Sequence, residues 1–128
     1  MACFQYIPQH TTKFYIQIYY LNRVFSLDGI HPDYWIIHLD QDIAPGGYGW
    51  VFPKADNKVN IGLGVEKSIL DQRNKRLGKT DSVASLMEEY LQRNKAIKNA
   101  RLSQDPEDIH NNTGVFQVSV RRQNDCMV

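Results

Sequence analysis

Residues Ala44 to Val65 constrain the fold of this chain more than any other stretch. They read A-P-G-G-Y-G-W-V-F-P-K-A-D-N-K-V-N-I-G-L-G-V. Tyr48, Trp50 and Phe52 stand at alternate positions, and side chains of a strand alternate between faces, so their rings belong in one row, each roughly 6.7 Å from the next. Val59, Ile61, Leu63 and Val65 alternate in turn with Asn60, Gly62 and Gly64. Two period-2 runs joined by a short turn through Ala55-Asp56-Asn57 predict a β-hairpin. Turn length decides which residues face each other. A two- or four-residue loop pairs Trp50 with Leu63 and sends the glycines to the face away from the rings, whereas a three-residue loop pairs Phe52 with Gly62 and Trp50 with Gly64. The sequence leaves both registers open.

Around this hairpin the chain reads mostly as strand. Lys13 to Phe25 is rich in aromatic and β-branched residues, with Phe14, Ile16, Ile18 and Tyr20 alternating against Tyr15, Gln17, Tyr19 and Leu21. Both faces of that run are apolar, as in a strand covered on two sides or laid against a partner. Ser26 to Pro32 contains Asp-Gly and a proline and predicts a turn, and Tyr34 to Leu39 predicts a second strand. Glu66 to Lys79 is charged and predicts a short solvated helix or a loop, ended at Gly78. Thr80 and Asp81 offer N-caps to the clearest helix, Ser82 to Asn94, where Val83, Leu86, Met87, Tyr90 and Leu91 form one apolar stripe. Ile97 to Leu102 suits a short strand or an extended link, Gln104 to Thr113 a polar loop, and Val115 to Val120 a last strand. Strands first, then helix, then strand, without βαβ alternation, give an α+β fold: an antiparallel sheet with one main helix packed on a face.

Composition excludes several classes of function. The 128 residues make one domain or part of one, short for an enzyme that carries a dinucleotide. Fifteen Lys and Arg against fourteen Asp and Glu leave a net charge of +1 without a same-sign run, so a nucleic-acid partner is not indicated. Cys3 and Cys126 form neither a CxxC nor a CxxH pair, which suggests neither a disulfide framework nor a zinc site. No signal-peptide pattern and no run of ~20 apolar residues occur, so the expected location is cytoplasmic or peripheral to a membrane, with no transmembrane segment.

No nucleophile elbow, P-loop or H-E-x-x-H is present, and Gly62-Leu63-Gly64 lacks the third glycine and following helix of a dinucleotide fingerprint. Thus no catalytic residue, cofactor site or metal site is assigned. His38 reads as a surface or satisfied residue, and Asp40 and Asp42 as turn formers. The aromatic row also suits an ordinary core face. Against that stands its frame: Pro-Gly-Gly before, Pro53 after, and two interior strand glycines, which mark a bulge or the close approach of a ligand or neighbouring strand.

Pro45-Gly46-Gly47-Tyr48-x-Trp50-x-Phe52-Pro53, eight residues, then Gly62-x-Gly64 resembles the Y-x-W-x-F-P-x(7-8)-G-x-G signature of the geranylgeranyl reductase family, above all its archaeal branch. The resemblance implies a flavoprotein that reduces isoprenoid double bonds, in which the signature shapes the tunnel for the polyprenyl chain. It implies substrate-binding roles for Tyr48, Trp50, Phe52, Pro53, Gly62 and Gly64. Family members carry FAD on a G-x-G-x-x-G strand-turn-helix and on a later Gly-Asp strand, and neither motif is in this sequence. The expectation is therefore a single substrate-binding fragment, residues 1–128, inactive alone and binding no FAD tightly. Its partners would be an isoprenoid lipid, a flavin-domain chain and further copies of itself as a homo-oligomer. The alternative is a stand-alone apolar-ligand or self-associating interaction module.

Overall fold

A computed structural model describes residues 12–109 and 112–122. Its centre is β1, Thr12–Ser26, the longest strand. β2 (Ile36–His38), β3 (Tyr48–Lys54) and β4 (Lys58–Glu66) follow, then the helices α1 (Lys67–Leu77) and α2 (Val83–Arg93). The chain continues through β5 (Arg101–Leu102), a 3₁₀ turn at Pro106–Asp108 and β6 (Asn112–Arg122). The sheet is antiparallel in the order β2-β3-β4-β1-β5, and β6 pairs with the N-terminal part of β1 on the same side as β5. The α+β reading is correct, with two helices instead of one main helix.

The hairpin of β3 and β4 has a three-residue loop, Ala55 to Asn57, in which Asp56 and Asn57 both take positive φ. Asp and Asn tolerate that conformation better than other non-glycine residues. The glycines accordingly lie on the ring face, but the partners differ from those expected. Trp50 faces Gly62, Tyr48 faces Gly64 and Phe52 faces Asn60. The loop begins one residue earlier than the register with Phe52 opposite Gly62 requires, which moves every pair by two.

One face of the sheet is covered by the helices. Leu21 and Phe25 of β1, Val51 of β3, and Val59, Ile61, Leu63 and Val65 of β4 are buried there against Leu70, Leu86, Met87 and Tyr90. The charged segment after β4 forms a full helix because Glu66 caps it, its carboxylate accepting from the backbone N–H groups of Ser68 and Ile69. Gly78, at φ 65°, ends it in the left-handed conformation. Ser82, not Thr80 or Asp81, caps α2, exchanging side chain to backbone hydrogen bonds with Ser85. β2 is shorter than the expected Tyr34 to Leu39 run, since only three residues find partners on β3. Among the described residues no helix is long and apolar enough to cross a membrane.

Candidate functional site

Among the described residues the other face carries no helix. Alternation puts Tyr48, Trp50 and Phe52 on it, with ring centroids 5.8 Å and 5.9 Å apart, and Trp35 extends the row at 4.7 Å from Phe52. Trp50 is held in place by a ladder of amides running across the sheet. Its indole N–H donates to Asn60 Oδ1 at 2.9 Å, and Asn60 Nδ2 donates to Asn22 Oδ1 at 3.0 Å. Asn112 Nδ2 donates to the same Asn22 oxygen at 3.3 Å, so β3, β4, β1 and β6 are linked under one ring. The bonds fix the plane of the indole, which stacking alone would leave free to turn.

The two glycines of β4 do different things. Gly62 lies opposite Trp50 and beside Asn22, and a Cβ there would stand 2.4 Å from Trp50 Cζ2 and 2.5 Å from Asn22 Cβ. The indole lies in the space that a side chain would fill. Gly64 lies between Tyr20 and Tyr48, and a Cβ there would meet nothing nearer than 3.7 Å. Its missing side chain opens a gap between the two tyrosines.

That gap is the floor of a groove of ≈ 550 Å³. Ile18 and Tyr20 form one wall, Tyr48 and Trp50 the other, and Phe116 of β6, 5.7 Å from the Tyr20 ring, closes the side. Gly46 and Gly47 make the rim. Gly47 passes so close over β4 that a Cβ would lie 2.0 Å from the carbonyl oxygen of Gly64, which accounts for a glycine in the rim. Gln41 holds this turn, accepting from the Gly46 N–H at 2.8 Å. Among the described residues no lining side chain is charged, and the indole N–H is already bonded within the protein. The groove can hold an apolar chain by burial and by contact with ring faces, and its volume lies in the range of ligand sites.

Of the six residues singled out in the sequence, Tyr48, Trp50 and Gly64 line the groove together. Phe52 continues the ring row beyond it, and Gly62 lies under the Trp50 indole. Pro53 is on the opposite face, beside Ile30, Pro32 and Val59, as its odd position in the strand requires. Ile18, Tyr20 and Phe116 were not singled out. The alternation of Ile18 and Tyr20 in β1 was a usable signal for two of them, once β1 is known to pair with β4.

His38 is satisfied, its Nδ1 lying 2.6 Å from the Tyr90 hydroxyl and its Nε2 3.1 Å from the Asn94 amide nitrogen. Burial pushes the Tyr90 phenol above its ordinary pKa. Asp40 serves its turn, Oδ1 accepting from the Asp42 N–H at 2.9 Å. Lys58, at the start of β4, binds Asp105 and, at 2.6 Å, Asp108. Asp105 first and Asp108 second hold the Lys58 ammonium above its usual pKa. Lys58 and then Ser103, whose hydroxyl donates at 2.7 Å, hold the Asp108 carboxyl below the usual carboxylate range.

A family model described as the geranylgeranyl reductase catalytic domain matches residues 15–104. A digeranylgeranylglycerophospholipid reductase of Sulfolobus acidocaldarius is 59% identical over 34 residues, 27% of this chain and 8% of that protein. A second, from Methanococcoides burtonii, is 35% identical over 65 residues, 51% of this chain and 14% of that protein. The crystal structure of a geranylgeranyl bacteriochlorophyll reductase-like protein from Thermoplasma acidophilum superposes with a TM-score of 0.57 at 25% identity, covering 78% of this chain and 22% of that one. The chain spans less than a quarter of the length of each of these relatives.

Proposed function

This chain belongs to the geranylgeranyl reductase family, and from that premise we propose that it forms the wall of a polyprenyl site, binding and orienting an isoprenoid lipid. The observation that carries the reading is the groove floored by Gly64 and walled by Tyr20, Tyr48, Trp50 and Phe116, uncharged among the described residues. Each CH₂ sequestered there contributes on the order of 0.8 kcal/mol. The relatives named for digeranylgeranylglycerophospholipid support an isoprenoid as the class of occupant.

FAD, which the family resemblance implies, would supply the hydride when bound. The described residues do not fit it. Glu66 already accepts from the Ser68 and Ile69 N–H groups at the start of α1, Ser82 accepts from the Ser85 N–H at the start of α2, and no G-x-G-x-x-G turn precedes either helix, so neither N-terminus is built to cradle a pyrophosphate. No step of a reduction is assigned to them. In this proposal the chain is the substrate-binding part, it reduces nothing alone, and the flavin comes with another part of a longer polypeptide or with a partner chain.

The test is a titration of the purified chain with geranylgeraniol, followed by fluorescence of its two tryptophans. Gly64→Leu fills the gap with a side chain whose first atom meets only ordinary contacts. Binding should weaken at least about tenfold while the melting curve stays in place. Unchanged affinity in Gly64→Leu would sink the groove as the site, and flavin absorbance co-eluting in stoichiometric amount would sink the division of labour.

A further inference from the structure

β6 is an 11-residue strand with one partner. Among the described residues no strand pairs with its outer edge. Beyond Ile18, where the pairing with β4 ends, residues 12–17 of β1 and 117–122 of β6 form a two-stranded ribbon. Two strands alone are marginal in water. Protected edges carry charges, prolines or bulges, and from Asn112 to Val120 this one has no charged residue and no proline. Val115 and Phe116, on opposite faces of the same edge, are 53% and 48% exposed.

We propose that a second copy of this chain adds to the outer edge of β6, antiparallel, about a two-fold axis through Gln117. Such a contact is isologous, each copy offering the same edge. Centring on Gln117 uses the whole strand and sets Phe116 beside Val118 of the partner subunit, and Val115 beside the partner's Ser119. The charge pattern favours this occupant and this register. Arg121 and Arg122 fall opposite the polar Thr113 and Asn112 of the other copy, and the two Arg121 residues are held about 27 Å apart along the strands. Registers centred nearer the C-terminus would bring the arginines face to face. The ribbon then becomes four strands, β1-β6-β6-β1, and because Phe116 lines the groove, the partner's Val118 lengthens the groove wall.

Sedimentation velocity on the full chain at tens of micromolar tests this. The wild-type chain should sediment as a dimer. Gln117 is exposed and faces Gln17 within the chain, so a charge there leaves the fold intact. At the two-fold it meets its own copy. Gln117→Lys and Gln117→Glu should each weaken the dimer about tenfold or more, and an equimolar mixture of the two should restore it as a heterodimer. A monomeric wild type, single variants that stay dimeric, or a mixture that stays monomeric would each overturn the proposal. Circular dichroism of both variants separates loss of the interface from loss of fold.

Discussion

The two faces of β3 and β4 are made by alternate residues of the same strands, yet they differ in kind. On the helix face Val51, Ile61, Leu63 and Val65 have no solvent exposure and share one core with residues of both helices, so their apolar area is used in holding the fold. On the open face Trp50 stacks on Phe52 and meets Tyr48 edge-on along the strand, and Gly62 and Gly64 supply no side chains at all. Aliphatic side chains fill a closed interior well, whereas rings over glycine leave a shaped gap. Apolar residues on both sides of a sheet therefore need not serve one purpose. Here one face stabilises the sheet that the other uses as a platform.

The largest expected effect lies on the closed face. Leu63→Ala removes a fully buried side chain between β1 and the helices, and cavities of this kind cost about 2–5 kcal/mol. Chemical denaturation should show that loss, while geranylgeraniol affinity of the folded protein stays within a factor of about two. A large loss of affinity without a loss of stability would mean that the faces are not separate.

Gly62→Ala comes next and acts on stability and binding at once, from the open face alone. Its methyl group would displace the Trp50 indole or the Asn22 side chain, both closer than a Cβ allows, and overpacking costs about 1–3 kcal/mol. Because the indole also walls the groove, affinity should fall with stability. Gly64→Ala, two residues along the strand, should change stability by less than about 1 kcal/mol. Equal losses of stability in the two alanine variants would refute the distinction drawn between the glycines.

That distinction was not legible in the sequence, although much around it was. Period-2 alternation located β1, β3, β4 and β6 but left two registers open for the hairpin, and it is the three-residue loop of the structure that puts the glycines on the ring face. The turn through Ala55, Asp56 and Asn57 was read from the sequence, but the register it sets rested on Asp56 and Asn57 both accepting positive φ, a local preference that alternation does not encode. Pro53 was grouped with the rings because the family signature contains it, although the strand period itself assigns it to the other side. Ile18 and Tyr20 were hidden for a different reason. Both faces of β1 are apolar, so only the pairing with β4 reveals which residues face the groove. α1 gave a weak signal because its buried side includes just Leu70 and Arg73, and because Glu66 is an unusual cap.

The smallest expected effect separates stability from binding without touching either face near the groove. Lys58 and its two carboxylates lie six residues along β4 from Gly64, about 20 Å away. The Asp108 carboxyl is held below its usual range chiefly by Lys58, so folding favours its ionised form. Its contribution is present above the unfolded pKa of about 3.9 and is lost as the pH falls through the lower folded value. Lys58 is shifted upward, so its contribution is complete below about pH 10.4 and is lost only on passing the still higher folded value. Asp108→Asn should therefore lower the melting temperature modestly across the neutral range, with the difference from wild type shrinking in acid. Geranylgeraniol affinity should not move at any pH in that range. A shift in affinity would mean that the hairpin transmits strain from its turn to Gly64, and the groove could then no longer be treated as a local consequence of two missing side chains.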